Sequence, residues 1–339
     1  MNVALFKTNH LGDNLVFLPV VQALRQLRPA WHLTLITAPH VAELYRADVP
    51  SADLLTATPE GLKLAWRRPW ELARWAARLR ARRLDASLVS YDQSSVAHAL
   101  ARLVGGRTRV GAAGLRIRLR GSLTHEVALA PGWSVARWNW AIATALVTAL
   151  DGGRDWPAEP PPPDLRHLYG DAPRLPRRIV LHAGSNQLLT RWPRERFAEL
   201  AARLAVDHDV VWLNAPETRG PLPPGVTPRD CPTLAALVNE LARAALFVGN
   251  NSGPMHLANA VRTPSLIISG PSSPIWDPAW HPGCTQLLRT PGLACLPCDR
   301  GTFAAYRCDN SSEPLACLNR WSVTAVEAAC RAALARPTE

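Results

Sequence analysis

The chain has no cysteine before Cys231, no stretch of 18 consecutive apolar residues, and too few acids to balance its bases. Without such a stretch there is no candidate for a membrane-spanning helix. The longest apolar candidate, residues 138–150, reads as a core helix. The opening MNVALFKTN resembles a short strand and lacks both the long apolar region and the small-residue cleavage site of a secretory signal, so a cytoplasmic location is expected. With all seven cysteines at or beyond Cys231, a disulfide framework is not expected, and clustered thiols in a reducing compartment point first to metal. Disordered composition is also missing, since 47% hydrophobic and 19% charged residues describe a folded protein, and 339 residues suffice for two cores. No solenoid repeat is present.

The excess of base is uneven. Residues 1–155 carry 20 Lys and Arg against 11 Asp and Glu, while the remainder carries 18 against 16. A basic N-terminal half implies an acidic partner, which from charge alone is nucleic acid, an anionic membrane or a phosphorylated glycolipid.

Residues 247–260, FVGNNSGPMHLANA, have the pattern of a buried strand end, a tight polar turn and a helix that starts at once. Ser252 or Gly253 suits the N-cap, and Pro254 suits a first turn that has no use for its missing N–H. The amides of Gly253, Met255 and His256 then face outward, and with the positive end of the helix dipole they suit an anion such as a nucleotide diphosphate. An ordinary strand-to-helix turn is the plainer reading of the same letters.

From the start, residues 3–8 alternate as a first strand, His10-Leu11-Gly12-Asp13-Asn14 breaks it, and a helix with Leu15, Leu18, Val21 and Leu24 on one face follows. The turn KTNHLGDN, residues 7–14, thus falls at the carboxyl end of a strand, where open parallel sheets place their ligands. Gly12 permits close backbone approach, and Asp13 is either held at the mouth of the cleft or caps the helix. Further strands are expected at 32–38, 52–57 and 86–90. From Trp70 onward, Leu72, Trp75, Leu79 and Leu84 share an apolar face while Arg74, Arg78, Arg82 and Arg83 stay solvated. That helix is an outer helix of an α/β domain or one facing a membrane or acceptor. Arg102, Arg107, Arg109, Arg116, Arg118 and Arg120 add to the same basic half.

Residues 156–164, WPAEPPPPD, contain four consecutive prolines that no helix or central strand accommodates, and they predict a semi-rigid spacer. The expected division is a domain over 1–155, a proline-rich linker over 156–176 and a second domain over 177–339. Strands are expected at 178–182, 210–213, 246–248 and 265–269, with helices at 234–244 and over RWPRERFAELAARL, where Pro193 opens the helix and Phe197, Leu200, Ala201 and Leu204 form the buried stripe. Strands alternating with helices predict parallel sheets.

Five segments in order, LGD at 11–13, LHAGS at 181–185, RWPRERFAEL, SGPMHLA at 252–258 and GPSSP at 270–274, resemble the motifs of glycosyltransferase family 9, the ADP-heptose heptosyltransferases of lipopolysaccharide assembly. The resemblance runs over nearly the whole chain. It implies the GT-B architecture, two Rossmann-like parallel-sheet domains facing a central cleft, with acceptor on the N-terminal and nucleotide-sugar donor on the C-terminal domain. Carried over by position, Asp13 is the catalytic base, with Lys7, His10, Gly12 and Asn14 on the acceptor side. Gly184, Ser185, Ser252, Gly253, Met255 and His256 line the phosphate pocket. Glu217, in NAPETRG, either bonds the ribose or is an ordinary surface carboxylate. Two positions depart from the family: Asn251 stands where Asp is usual, and Thr190 where Lys is frequent, so Arg191 becomes the candidate cation for the diphosphate.

Cys295, Cys298, Cys308 and Cys317 form a CxxC followed by two more thiols, a set that either closes a structural zinc or iron site or stays as four unliganded thiols. The expectation is an inverting glycosyltransferase moving a sugar, heptose by resemblance, from an ADP-sugar to a lipopolysaccharide-core or related envelope acceptor. It would need no cofactor for catalysis and would work in the cytoplasm, peripheral to the inner membrane. The alternative is a degenerate relative that binds anionic lipid or nucleic acid through its basic face; intact LGDN and SGPMH argue against it, and nucleic acid is disfavoured.

Overall fold

A computed structural model describes residues 1–58, 60, 61, 64, 67–91, 93–104, 106–114, 121–171, 173–298 and 308–336. The chain divides into two compact units, Met1–Asp164 and Leu165–Glu339. Arg116, Arg118 and Arg120 lie outside the described residues.

The first unit holds a six-stranded sheet of β1 (Asn2–Lys7), β2 (His32–Thr37), β3 (Leu54–Thr56), β4 (Ala86–Val89), β5 (Thr108–Ala112) and β6 (His125–Val127) in the order β3-β2-β1-β4-β5-β6. Every pairing is parallel, with Val3 opposite both Leu33 and Ala86. Helices cover both faces, so β1 reads as a continuous apolar run, with Val3, Leu5 and Phe6 fully buried. The expected helix after β1 is two helices, Leu11–Leu15 and Leu18–Leu27, separated at Val16 and Phe17. The long apolar helix runs Val135–Asp151. Ser134 Oγ accepts the Arg137 amide at its start, and Gly152, at φ 80°, ends it in the left-handed conformation.

The basic helix spans Pro69–Arg80, so Arg82, Arg83 and Leu84 lie beyond it. Arg82 was expected in solvent; instead its guanidinium reaches the carboxylate of Asp53 and the carbonyl of Ala52. Nor does the proline-rich stretch stand off as a spacer at its start. Trp156 stacks on Trp140 with ring centroids 4.6 Å apart, and Trp140 Nε1 donates to the Pro157 carbonyl at 2.8 Å. Stacking of a half-buried indole on a buried one outweighs the stiffness of prolines that need no internal hydrogen bonds.

The second unit repeats the plan with β7 (Leu175–His182), β8 (Asp209–Leu213), β9 (Val226–Arg229), β10 (Ala244–Asn250), β11 (Ser265–Ile268) and β12 (Thr285–Leu288), ordered β12-β11-β10-β7-β8-β9 and parallel throughout. Counted within each unit both sheets have strand order 3-2-1-4-5-6, that of the doubly wound Rossmann fold. The helix Arg194–Leu204 buries Phe197, Leu200, Ala201 and Leu204 completely, as its periodicity predicts. Trp192 and Trp212 flank Phe197 edge-on at 4.9 and 6.4 Å, so the aromatics of RWPRERF serve the core. Each such side chain is worth about 1.5–3 kcal/mol of burial. No described helix is long and apolar enough to cross a membrane.

Candidate functional site

Within each unit the family turns fall where the strand order reverses, the position at which doubly wound sheets bind ligands. In the first unit that point lies between β1 and β4. β1 ends at Lys7, and the helix Leu11–Leu15 begins almost at once, drawing Asp13 into its first turn. Asp13 is 8% exposed, and its Oδ2 accepts the His10 amide at 3.1 Å. It therefore caps the turn, at the carboxyl end of β1.

The surrounding side chains hold this turn rigid. Asn14 is fully buried; its Nδ2 donates to the carbonyls of Asn9 and His10 at 3.0 and 2.9 Å, and its Oδ1 accepts from Thr37 and Tyr45, each at 3.0 Å. Burial, with the charges of Asp13 and Asp48 adding to it, pushes the Tyr45 phenol well above its usual pKa and keeps it a donor. From the loop after β4, Gln93 Oε1 accepts both the amide and the hydroxyl of Thr8, at 3.2 and 3.0 Å. Lys7 is also fully buried, its ammonium 3.5 Å from the Tyr91 carbonyl. Lys7 and Asn14, expected to touch an acceptor, thus support the turn from inside, while His10 is exposed and Gly12 half-buried. Tyr45, Thr37 and Gln93 were not legible as site residues, because their partners lie 31, 23 and 85 positions away. His40 is a further arrival, its pKa lowered by burial and then by the charge of His10.

In the second unit the reversal lies between β7 and β10, and the loops after these strands carry LHAGS and NNSGPMH. The helix Gly253–Ala260 follows β10 with Ser252 as N-cap and Pro254 in the first turn. Two details differ from expectation. The Ser252 hydroxyl donates backward to the Asn250 carbonyl at 3.3 Å and does not cap the helix, and the Met255 amide is taken by the Ser252 carbonyl at 3.1 Å. Met255 is fully buried, and among the described residues the Gly253 amide has no partner. The Asn251 Nδ2 is buried without a partner among the described residues, and His256 is 5% exposed. Of the amides expected to face outward, that of Met255 is therefore engaged within the turn, while that of Gly253 stays open at the positive end of the helix dipole.

The facing loop is closely knit. Ser185 Oγ and Thr190 Oγ1 lie 2.6 Å apart, Arg191 Nε donates to the Ser185 carbonyl at 2.7 Å, and its guanidinium stands 3.8 Å from Glu217. Gly184 leaves no room for a side chain, since a Cβ there would lie 2.8 Å from Glu217 Oε1 and 3.0 Å from His182 Nε2. His182 is half-buried, and the burial of its ring lowers its pKa to about 4 against the opposing pull of Glu217, so it is neutral near pH 7. Asn250 was overlooked in sequence: its Oδ1 accepts the Trp192 amide at 2.9 Å and its Nδ2 donates to the Ala183 carbonyl at 2.8 Å, pinning both loops to β10.

Cys295, Cys298, Cys308 and Cys317 line one small cavity with Leu189, Pro271 and Leu315. Burial comes first and the charges of the other three second in raising the Cys317 thiol to about 11, so the sulfurs sense one another. The Leu315 amide donates to Cys308 Sγ at 3.3 Å, a bond that favours a thiolate. Among the described residues no three His, Cys, Asp or Glu side chains converge tightly enough to hold an ion as they stand. The donor set thus suits a soft metal, and ligation requires the thiols to close on the cavity.

Residues 72–302 match the family model described as glycosyltransferase family 9 (heptosyltransferase). Lipooligosaccharide heptosyltransferase 2 of Campylobacter jejuni subsp. jejuni serotype O:2 is 27% identical over 138 residues, 37% of this chain and 43% of that protein, so the match spans less than half of that relative. Among solved structures, E. coli heptosyltransferase WaaC with ADP superposes with a TM-score of 0.70 at 18% identity, covering 98% of this chain and 100% of that one. The iron-containing dodecameric glycosyltransferase TibC from enterotoxigenic E. coli H10407 superposes with a TM-score of 0.57 at 18% identity, over 98% of this chain and 75% of that one. The two sheets have the GT-B fold, and with the family model matched over more than half its length the chain belongs to glycosyltransferase family 9.

Proposed function

We propose that the chain is an inverting glycosyltransferase that moves a sugar, heptose in the first instance, from an ADP-sugar to a lipopolysaccharide-core or related envelope acceptor. The observation that carries this reading is that one sheet has a buried carboxylate turn at its reversal point and the other sheet has a helix N-terminus at its own. Asp13 takes the proton of an acceptor hydroxyl as that oxygen bonds to the anomeric carbon. The bond from that carbon to the diphosphate breaks on the opposite side, and its electron pair leaves on the nucleotide. The Gly253 end of its helix, with Ser185, Arg191 and the region of Asn251, Ser252 and His256, holds the charge that develops there. Glu217 bonds the ribose. His10 and Gly12 border the acceptor, and Lys7 and Asn14 position the turn.

The ADP bound by WaaC and the name of the Campylobacter relative favour ADP-heptose and a lipo-oligosaccharide-type acceptor. The basic N-terminal half favours an anionic glycolipid presented at the cytoplasmic side of the inner membrane. The N-terminal domain, 1–155, would then carry the acceptor, the C-terminal domain, 177–339, the donor, and 156–176 the connection. ADP raising the melting temperature by several degrees, with UDP and GDP inert, is the expected result; a shift with UDP or GDP and none with ADP would remove the ADP assignment.

We also propose a structural zinc or iron held by Cys295, Cys298, Cys308 and Cys317. An ion among them would bind the four sulfurs as thiolates, releasing their protons, and add folding energy to the second unit. The iron of TibC supports iron as strongly as zinc. Elemental analysis should find close to one metal per chain, lost in Cys298→Ser with a lower melting temperature. Metal-free protein of equal stability would leave four ordinary thiols.

A further inference from the structure

The helices Pro69–Arg80 and Ser95–Val104 run back to the amino ends of β4 and β5, the edge of the sheet opposite the Asp13 turn. There Arg80, Arg83 and Arg102 line an open hollow of about 300 Å³ together with Leu84 and Leu103. All three arginines are exposed, and among the described residues no carboxylate pairs with Arg80 or Arg83. The available acids are engaged elsewhere: Asp85 Oδ2 accepts the Asn2 amide at 2.8 Å, and Asp53 is taken by Arg82. Arginines in the last turn of a helix serve its dipole, which accounts for Arg80 and Arg102. It does not account for Arg83, which lies past the helix end in the left-handed conformation at φ 50°.

The hollow is preformed. The Arg107 amide donates to the Asp85 carbonyl at 3.0 Å, and Gly106, at φ 76°, packs so closely there that a Cβ would lie 2.1 Å from that same carbonyl oxygen. The segments that follow the two helices, one of them carrying Arg83, are thereby held against each other. We propose that this hollow binds a phosphate group, with an anionic lipid headgroup as its source and a soluble phosphate as the other source of the same chemistry. Guanidinium forks match phosphate oxygens, and Leu103, 48% exposed beside them, suits the apolar part of a lipid. Six residues of β1 place the hollow roughly 20 Å from the Asp13 turn, so a phosphate held here anchors the protein and does not react. The lipid source rests on the membrane-side acceptor reading given above.

The test uses the full chain in co-sedimentation with phosphatidylcholine vesicles with and without phosphatidylglycerol, and thermal shift with inorganic phosphate. The hollow variant is Arg80→Ala with Arg83→Ala. The charge-matched control is Arg25→Ala with Arg46→Ala, on exposed positions elsewhere in the same unit. Expected are binding of wild type to phosphatidylglycerol vesicles, a loss of at least about tenfold in the hollow variant, and a change within about twofold in the control. A phosphate-induced shift that the hollow variant loses, without vesicle binding, assigns the site to a soluble phosphate. Equal loss in both double variants, or neither vesicle binding nor a phosphate shift in wild type, overturns the proposal. The ADP-induced shift, read in parallel, checks that the variants are folded; its absence in wild type counts against the donor reading alone.

Discussion

The two halves of this protein share a strand order and differ in what each builds at its reversal point. In the first unit the turn after the first strand buries a carboxylate that accepts the His10 amide, and Asn14, Tyr45 and Gln93 tie down the turn around it. In the second, the corresponding turn after β7 offers a neutral histidine and a glycine, and the fourth strand adds a helix start. The difference teaches that the sheet supplies a place and the loops supply the chemistry. Under the proposed function one loop set serves proton transfer and the other holds an anion.

The sharpest way to break that contrast is Asp13→Asn, which keeps the size and the bond to the His10 amide while removing basicity. Turnover should fall at least about a hundredfold while the ADP-induced thermal shift stays. Near-normal turnover, with collapse in His10→Ala instead, would move the base to His10.

Acid should weaken both halves through a feature they share. His98 in the first unit and His182 in the second are each lowered by burial to about 4, against about 6.5 in the unfolded chain. Above pH 6.5 both states are neutral and neither histidine costs stability. As pH falls toward 4 the unfolded chain takes up protons that the folded one refuses, so stability drops, by about 3 kcal/mol per histidine at most. Urea unfolding of the unit that carries His182 should show this slope, and His182→Asn should flatten it; an unchanged slope would assign the loss to carboxylates.

Gly184→Ala probes the anion side alone. The added methyl must displace the Glu217 carboxylate, so ADP affinity should fall on the order of tenfold, with the maximal rate little changed. A drop in maximal rate at unchanged affinity would tie this loop to the reacting carbon instead. The smallest effect is expected from Ser252→Ala. A capping serine is worth ~1 kcal/mol, but this hydroxyl bonds backward to Asn250, so thermal denaturation should change by less than about 0.5 kcal/mol.

Much of this was legible in the letters. Buried parallel strands announce themselves as apolar runs, and βα turns as glycine, proline and polar clusters, so β1, β7, β10 and the helix at Gly253 were readable in place. The outer strands β5, β6, β9 and β12 were not, because THEV-like and VTPR-like segments carry no period. The split of the first helix also escaped, since Leu15, Leu18, Val21 and Leu24 keep a helical spacing across the break.

By itself the sequence determined local preference and chemical inventory: where a chain buried on both sides must be a strand, where Asp13 and Gly253 stand relative to strand ends, and which thiols lie together along the chain. Tertiary structure alone decided partnership. It turned Lys7 and Asn14 inward, brought Gln93 to Thr8 across 85 residues, enclosed His182 enough to neutralise it, and set Arg80, Arg83 and Arg102 around one hollow. The reason is physical: periodicity records which face of an element is buried, whereas a hydrogen bond or a shifted pKa depends on distances between elements that only packing sets.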